Sequence, residues 1–302
     1  MSLSIRCFDI ALPHGITLSC RANAEAPDLP RALLLHGFPE AAFVWDEVMQ
    51  RLGGRVQCIA PNLRGYERSS APVEVEAYRA KHLVTDIAAL IGQLGAPIAL
   101  LVAHDWGGAV AWNLAALRPE LMRRLLIINS PHPATFLREL RDNPAQQAAS
   151  AYMNFLCRPD AAALLAENDF ARLWPFFENM GGSAWLDAPM RERYREVWRH
   201  GLEGALNYYR ASPLRPPQSA SDAIHTLALP PEMTTVRVPT TVLWGDADTA
   251  LPLALLDGLD AFVPDLHTQV VSGATHWIVH EQAERIASAM TDLTADTLQT
   301  KT

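Results

Sequence analysis

The sequence has no excess of positive charge, no metal-spaced cysteines and no long uninterrupted apolar run. Its 33 Asp and Glu outnumber its 25 Lys and Arg, for a formal net charge of −8. That balance excludes the basic footprint used to hold nucleic acid or an anionic membrane surface. No stretch approaches the roughly 18 consecutive apolar residues of a membrane span. The opening MSLSIRCFDIALPHG lacks a basic start followed by an apolar run, so no secretory leader is expected. Four scattered cysteines, Cys7, Cys20, Cys58 and Cys157, include no C-x-x-C. They read as free thiols of a cytoplasmic protein, with Cys58 in VQCIAP a small buried hydrophobe. Repeats are absent, and low-complexity tracts do not go beyond short alanine clusters.

What is present is apolar material in alternating blocks. At 302 residues and 49% hydrophobic, the chain can build one large core or a core carrying an insertion. RALLLHG (31–37), RVQCIAP (55–61), PIALLVA (97–103), RRLLIIN (123–129), PTTVLWG (239–245) and HTQVVSG (267–273) read as strands. Their near-continuous apolar character implies burial on both faces of a mostly parallel sheet. Helical patterns lie between them at 41–52, 79–94, 107–118, 251–261 and 280–295, which predicts an α/β fold. The stretches 3–10 and 15–22 predict a leading antiparallel hairpin. The rhythm stops between Pro131 and Met233, where several helical patterns and no strand suggest a helical insertion into the sheet. The expected organisation is a core of 1–131 and 233–302 with an all-helical cap at 132–232.

Ligands of open α/β sheets bind beyond the carboxyl ends of the strands. The segment Ala103-His-Asp-Trp-Gly107 has the small-x-nucleophile-x-small pattern of a strand-to-helix elbow. Small residues let the two backbones approach, and the turn exposes the central side chain. That residue is Asp105, and an ionised carboxylate needs no base to attack an sp³ carbon. Taken alone, Asp105 could equally cap the helix that starts near Gly107.

His276, in SGATHWIVHEQAERI, follows the last apolar strand and fits the chain order nucleophile, acid, histidine. Two acids compete to orient it, Asp246 and Asp248 in WGDADTALP. Asp248 is preferred because it lies further beyond the strand end, which leaves Asp246 to stabilise the turn. Asn129 could hold the acid in a variant arrangement. His104 reads as a packed neighbour of the nucleophile and His280 as a solvated helical residue. The loop LLLHGFPEAAFVW (33–45) can supply one backbone N–H of an oxyanion hole and the residue after the nucleophile the other. Those residues are Phe38 and Trp106.

HGFPE, NLRGYERSS, HDWGG, WGDAD and GATHW, in that order, resemble the epoxide hydrolases of the α/β-hydrolase fold, over nearly the whole chain. The resemblance implies a mostly parallel eight-stranded sheet, with a helical cap carrying tyrosines over the nucleophile. SAYMNFL (150–156) and GALNYYRAS (204–212) look like those cap segments, so Tyr152 and Tyr209 would polarise an epoxide oxygen while Tyr208 packs or faces solvent. His36, Pro39 and Trp106 would contact substrate. The implied partners are a small hydrophobic epoxide and water, with no metal or organic cofactor, in a monomer or homodimer. The implied chemistry is an alkyl ester on Asp105, hydrolysed by water that His276 and Asp248 activate. Asn62 and Glu67 depart from the family's usual Asp and Gly. Haloalkane dehalogenases share the Asp105, His276 and Asp248 pattern, but Phe38 stands where some carry asparagine as a halide donor. Fluoroacetate dehalogenases carry Arg where this chain has Trp106. A catalytically idle binding protein would have no need of the His276–Asp248 pair.

Overall fold

The apolar runs close into one sheet. The computed structural model describes residues 4–23, 28–181 and 184–299. Its strands are β1 (Arg6–Ala11), β2 (Thr17–Ala22), β3 (Arg31–Leu35), β4 (Gln57–Pro61), β5 (Ile98–His104), β6 (Met122–Ile128), β7 (Thr240–Gly245) and β8 (Leu266–Val271). They lie in the order β1-β2-β4-β3-β5-β6-β7-β8. The hairpin β1–β2 registers Arg6 with Ala22 through Ala11 with Thr17, and β2 also runs antiparallel to β4. Every other pairing is parallel. Leu3, the first residue of the predicted hairpin, lies outside the described residues. All seven residues of β5 are buried, as expected for a central strand covered on both faces. At the sheet edge β8 is largely exposed, which explains its polar LHTQVV.

The helices are α1 (Asp46–Leu52), α2 (Ala80–Leu94), α3 (Asp105–Leu117), α4 (Pro133–Asp142), α5 (Pro144–Ala149), α6 (Tyr152–Leu156), α7 (Ala161–Phe170), α8 (Trp174–Asn179), α9 (Ala188–Trp198), α10 (Glu203–Ala211), α11 (Pro231–Thr234), α12 (Ile278–Glu281) and α13 (Ala283–Gln299). Helices α4 to α11 all fall between β6 and β7, with no strand among the described residues there. Helices α3 and α13 both pack on β5.

Three local expectations need correction. The helical pattern at 251–261 is two 3-10 turns, Leu253–Leu256 and Leu259–Ala261, separated at Gly258, whose φ of 69° belongs to no right-handed helix. The final helix is two, broken at Gln282, where φ −127° and ψ 33° leave the helical region. Helix α3 begins at Asp105 rather than near Gly107.

That early start has a steric basis. A Cβ on Gly107 would stand 2.6 Å from the His36 carbonyl oxygen, so only hydrogen lets α3 approach the end of β3. Gly37 is equally constrained, since its Cβ would fall 2.1 Å from Asp105 Oδ1. Gly107→Ala is expected to cost about 2–3 kcal/mol by overpacking a backbone contact that cannot yield. Urea denaturation checks it, and an unchanged midpoint would contradict this packing.

Candidate active site

Asp105 is the residue at which β5 turns into α3. Its φ of 49° lies in the left-handed region, which Asp tolerates better than most non-glycine residues. The bend turns the carboxylate away from its own helix. Oδ1 accepts a hydrogen bond from the Phe38 backbone N–H at 2.7 Å, and Ser130 Oγ donates to the Asp105 carbonyl at 2.6 Å. The residue preceding α3 is His104, which makes no side-chain cap bond. The positive end of α3 favours a negative charge at position 105.

Two further strand ends bring up the histidine and its acid. His276 Nδ1 lies 2.8 Å from Asp248 Oδ2, while Nε2 faces Asp105 Oδ2 across 3.8 Å, too far for a direct hydrogen bond. Asp248 is held from every side. Its Oδ1 accepts from the backbone N–H groups of Ala250 and Leu251, each at 2.9 Å, and Oδ2 accepts from Asn129 Nδ2 at 2.7 Å. Asn129, itself at φ 37°, fixes that amide by accepting from Gly245 N through Oδ1. The competing acid, Asp246, points elsewhere and accepts from Gly273 N at 2.6 Å. Burial disfavours a charge on His276. The Asp248 carboxylate and hydrogen bond outweigh it, with Asp105 adding, and raise the imidazole to about 9.

Behind these residues lies a buried polar cluster that sequence reasoning missed. Glu40 Oε2 accepts from His104 Nδ1 at 3.2 Å, and Oε1 lies 3.0 Å from the Tyr194 hydroxyl and 3.1 Å from His280 Nε2. His104 Nε2 reaches on to the His276 carbonyl oxygen at 2.9 Å. The cluster thus joins the loop after β3, the loop after β8 and helix α9. Burial would raise the Glu40 carboxyl, but the His104 and His280 bonds prevail and hold it well below the usual carboxylate range. His280 is therefore not solvated: its side chain is 7% exposed and stacks 3.8 Å from Trp185. A lone Glu four residues past His36 reads as an ordinary turn residue, and no spacing links positions 40, 104, 194 and 280.

Tyr152, at the start of α6, and Tyr209, in α10, line the same cavity as Asp105 and Trp106. Their ring centroids are 6.3 Å apart, and the Tyr209 ring meets Phe38 edge-on at 5.3 Å and Trp106 at 5.0 Å. Burial raises both phenols, with the Asp105 charge adding to each, so both stay protonated at neutral pH. Tyr208 packs, as its hydroxyl donates to the Arg64 carbonyl at 2.9 Å.

Of the residues expected to contact substrate, His36 and Pro39 are both buried and Trp106 lines the cavity. His36 is fully buried, with Nε2 accepting from Leu63 N at 3.0 Å and Nδ1 near the Gly37 carbonyl. Pro39 is buried and its carbonyl accepts from the Trp198 indole. The unusual pair Asn62 and Glu67 bond to each other, with Glu67 at φ 49° where a glycine would be unstrained. Trp174 and Phe177 pack with Trp198. All four cysteines are unpaired, and among the described residues no cluster of His, Cys, Asp and Glu could hold a metal ion. No described helix is long and apolar enough to cross a membrane.

Glu40→Ala leaves buried partners without their acceptor and is expected to cost about 3–5 kcal/mol at pH 7. The depressed carboxyl contributes stability above its unfolded value of about 4.3 and loses it as pH falls. The gap between wild type and variant in urea denaturation should therefore narrow below about pH 4. A gap that stays constant with pH would contradict an ionised Glu40.

Comparisons with known proteins identify the family. The model of the family described as alpha/beta hydrolase fold matches residues 30–283. The chain is 36% identical over 273 residues to the AB hydrolase superfamily protein YfhM of Bacillus subtilis (strain 168), covering 89% of this chain and 91% of that protein. It is 30% identical to Epoxide hydrolase 4 of Mus musculus, over 94% of this chain and 77% of that protein. Its structure superposes on a Bacillus megaterium epoxide hydrolase solved with an inhibitor, with a TM-score of 0.86 and 29% identity over 95% and 99% of the two chains. The chain therefore belongs to the α/β-hydrolase fold family, in which its relatives include epoxide hydrolases.

Proposed function

We propose that this chain hydrolyses an epoxide to a vicinal diol through a covalent ester on Asp105. One observation carries the reading: a carboxylate with one oxygen held by the Phe38 N–H shares a cavity wall with two protonated tyrosines. In the first step Asp105 Oδ2 attacks an epoxide carbon, forming a C–O bond as the ring C–O bond breaks. The departing oxygen takes its proton from Tyr152 or Tyr209, which have hydroxyls suited to hydrogen-bond it beforehand.

In the second step His276 removes a proton from water, and the hydroxide adds to the Asp105 carboxyl carbon. The oxyanion develops on Oδ1, where the Phe38 N–H already points and the Trp106 N–H would be the second donor. Collapse breaks the bond to the substrate and His276 returns the proton to the leaving alkoxide. The proton left on the Asp105 carboxyl passes to the tyrosinate, so that Asp105 is restored as a carboxylate with an oxygen from water and the tyrosine as a phenol. Esterification removes the Asp105 charge, one of the influences that keep a proton on His276, so the first step lowers the pKa of the base needed in the second.

A halide leaving group fits less well. The Trp106 indole could hold it, but the Phe38 ring offers no partner donor. The acid that orients His276 is assigned as Asp248, which alone of the two candidates contacts the ring.

His276→Gln should stop turnover after esterification, so that incubation with an accepted epoxide adds the mass of that epoxide to Asp105. An unmodified Asp105 with a substrate that wild type consumes would contradict the two-step route. Tyr152→Phe and Tyr209→Phe should each lower kcat/KM by about 10²-fold, and the double variant by considerably more. Full epoxide turnover in the double variant would exclude the tyrosines as the acid, and halide release from bromoalkanes without diol formation would favour the rival chemistry.

A further inference from the structure

The cavity extends well past the reacting atoms. Asp105, Ala109 and Asn113 line it and recur at every fourth residue, so they form one stripe of α3. At about 1.5 Å rise per residue, Asn113 lies roughly 12 Å along the helix axis from the nucleophile. Leu83 of α2, Leu214 and Met233 line the cavity too, and Ala80 among the lining residues is exposed to solvent.

The chemistry of the wall is one-sided. Asp105 is the only charged residue among the described lining residues, and no Lys, Arg or His is there to meet an anion. The other polar groups are turned onto backbone. Asn113 Nδ2 donates to the Ala109 carbonyl at 2.8 Å, and the Ser212 hydroxyl accepts from Leu214 N at 3.1 Å. The Tyr208 and Tyr78 hydroxyls donate to the carbonyls of Arg64 and Pro72, each at 2.9 Å. Beyond Tyr152, Tyr209, Trp106 and the side-chain oxygen of Asn113 at the far end of the stripe, the channel presents an apolar surface. A carboxylate drawn into it would lose water, meet no counter-ion and approach the charge of Asp105.

We propose that the substrate is a neutral epoxide bearing one unbranched alkyl chain of roughly eight to ten carbons, stretched along the α3 stripe, a length set by about 1.3 Å of advance per methylene against the 12 Å channel. This rests on the epoxide reading above for the reacting end, but the channel can be tested without turnover. Ala109 lies midway along the stripe, so a larger group there would stand in the path of the chain.

Calorimetry with a homologous series of 1,2-alkanediols reads the channel directly. Affinity should rise by up to about fourfold per methylene, then level off near ten carbons as the chain reaches solvent. Ala109→Trp, shown to be folded by its circular dichroism, should remove the dependence on length. Leu214→Trp, at another lining position, should shorten the range of chain lengths over which affinity rises and serves if the first variant does not fold. Affinity independent of length in wild type, or the same dependence in both variants, overturns the proposal. In turnover, 1,2-epoxyoctane should exceed styrene oxide in kcat/KM at equal carbon number, and the reverse order also overturns it. A rising diol series with no epoxide consumed would retain the alkyl channel and reject the epoxide reading instead.

Discussion

The structure turns on one backbone constraint, the left-handed conformation of Asp105 at the end of β5. For a residue with a Cβ this conformation costs about 1–2 kcal/mol, so the surroundings must hold it. They do so on three sides. Gly107 lets the helix come down on the end of β3, Gly37 leaves room for the carboxylate, and Ser130 binds the Asp105 carbonyl. The strain has a chemical return. A right-handed residue would let the carboxylate fold back on its own helix, whereas this one projects it toward Phe38 N and His276.

Around that bend the protein arranges rigidity unevenly. The acid side is fixed by hydrogen bonds: Asp248 accepts four, and the Asn129 that donates one of them is locked in turn by Gly245 N. Glu40 extends the fixed region through His104 to the His276 carbonyl and through Tyr194 to α9, so one buried carboxylate ties the histidine loop to the helical insertion. The opposite wall is aromatic and aliphatic, with edge-on contacts among Phe38, Trp106, Tyr152 and Tyr209. Asp105 and His276 are thus positioned by polar bonds, and the opposite wall of the cavity is set by shape.

Much of this was legible because it leaves local marks. Strands with both faces covered are apolar throughout, and an elbow must be small at 103 and 107, so the sheet and Asp105 could be read from composition at fixed positions. Asp248 could be preferred over Asp246 from its distance past β7, and Tyr152 and Tyr209 came through the family resemblance. What stayed hidden depends on contacts far apart in sequence. Glu40 meets Tyr194 across 154 positions and His280 across 240, and no periodicity records such a meeting. His36 and Pro39 stand in a motif beside the site, and their polar atoms are used to shape the loop. The pattern at 251–261 read as helix because apolar spacing carries no warning of a left-handed Gly258.

In the proposed reaction Asp105 bonds covalently to substrate and is restored by water. A single turnover with excess enzyme, run in water enriched in heavy oxygen, tests it most directly. The first diol should carry ordinary oxygen taken from the carboxylate, while the peptide containing Asp105 becomes heavier by one exchanged oxygen. Heavy oxygen in that first diol with an unlabelled Asp105 would mean that water attacks the epoxide directly, and would contradict the account.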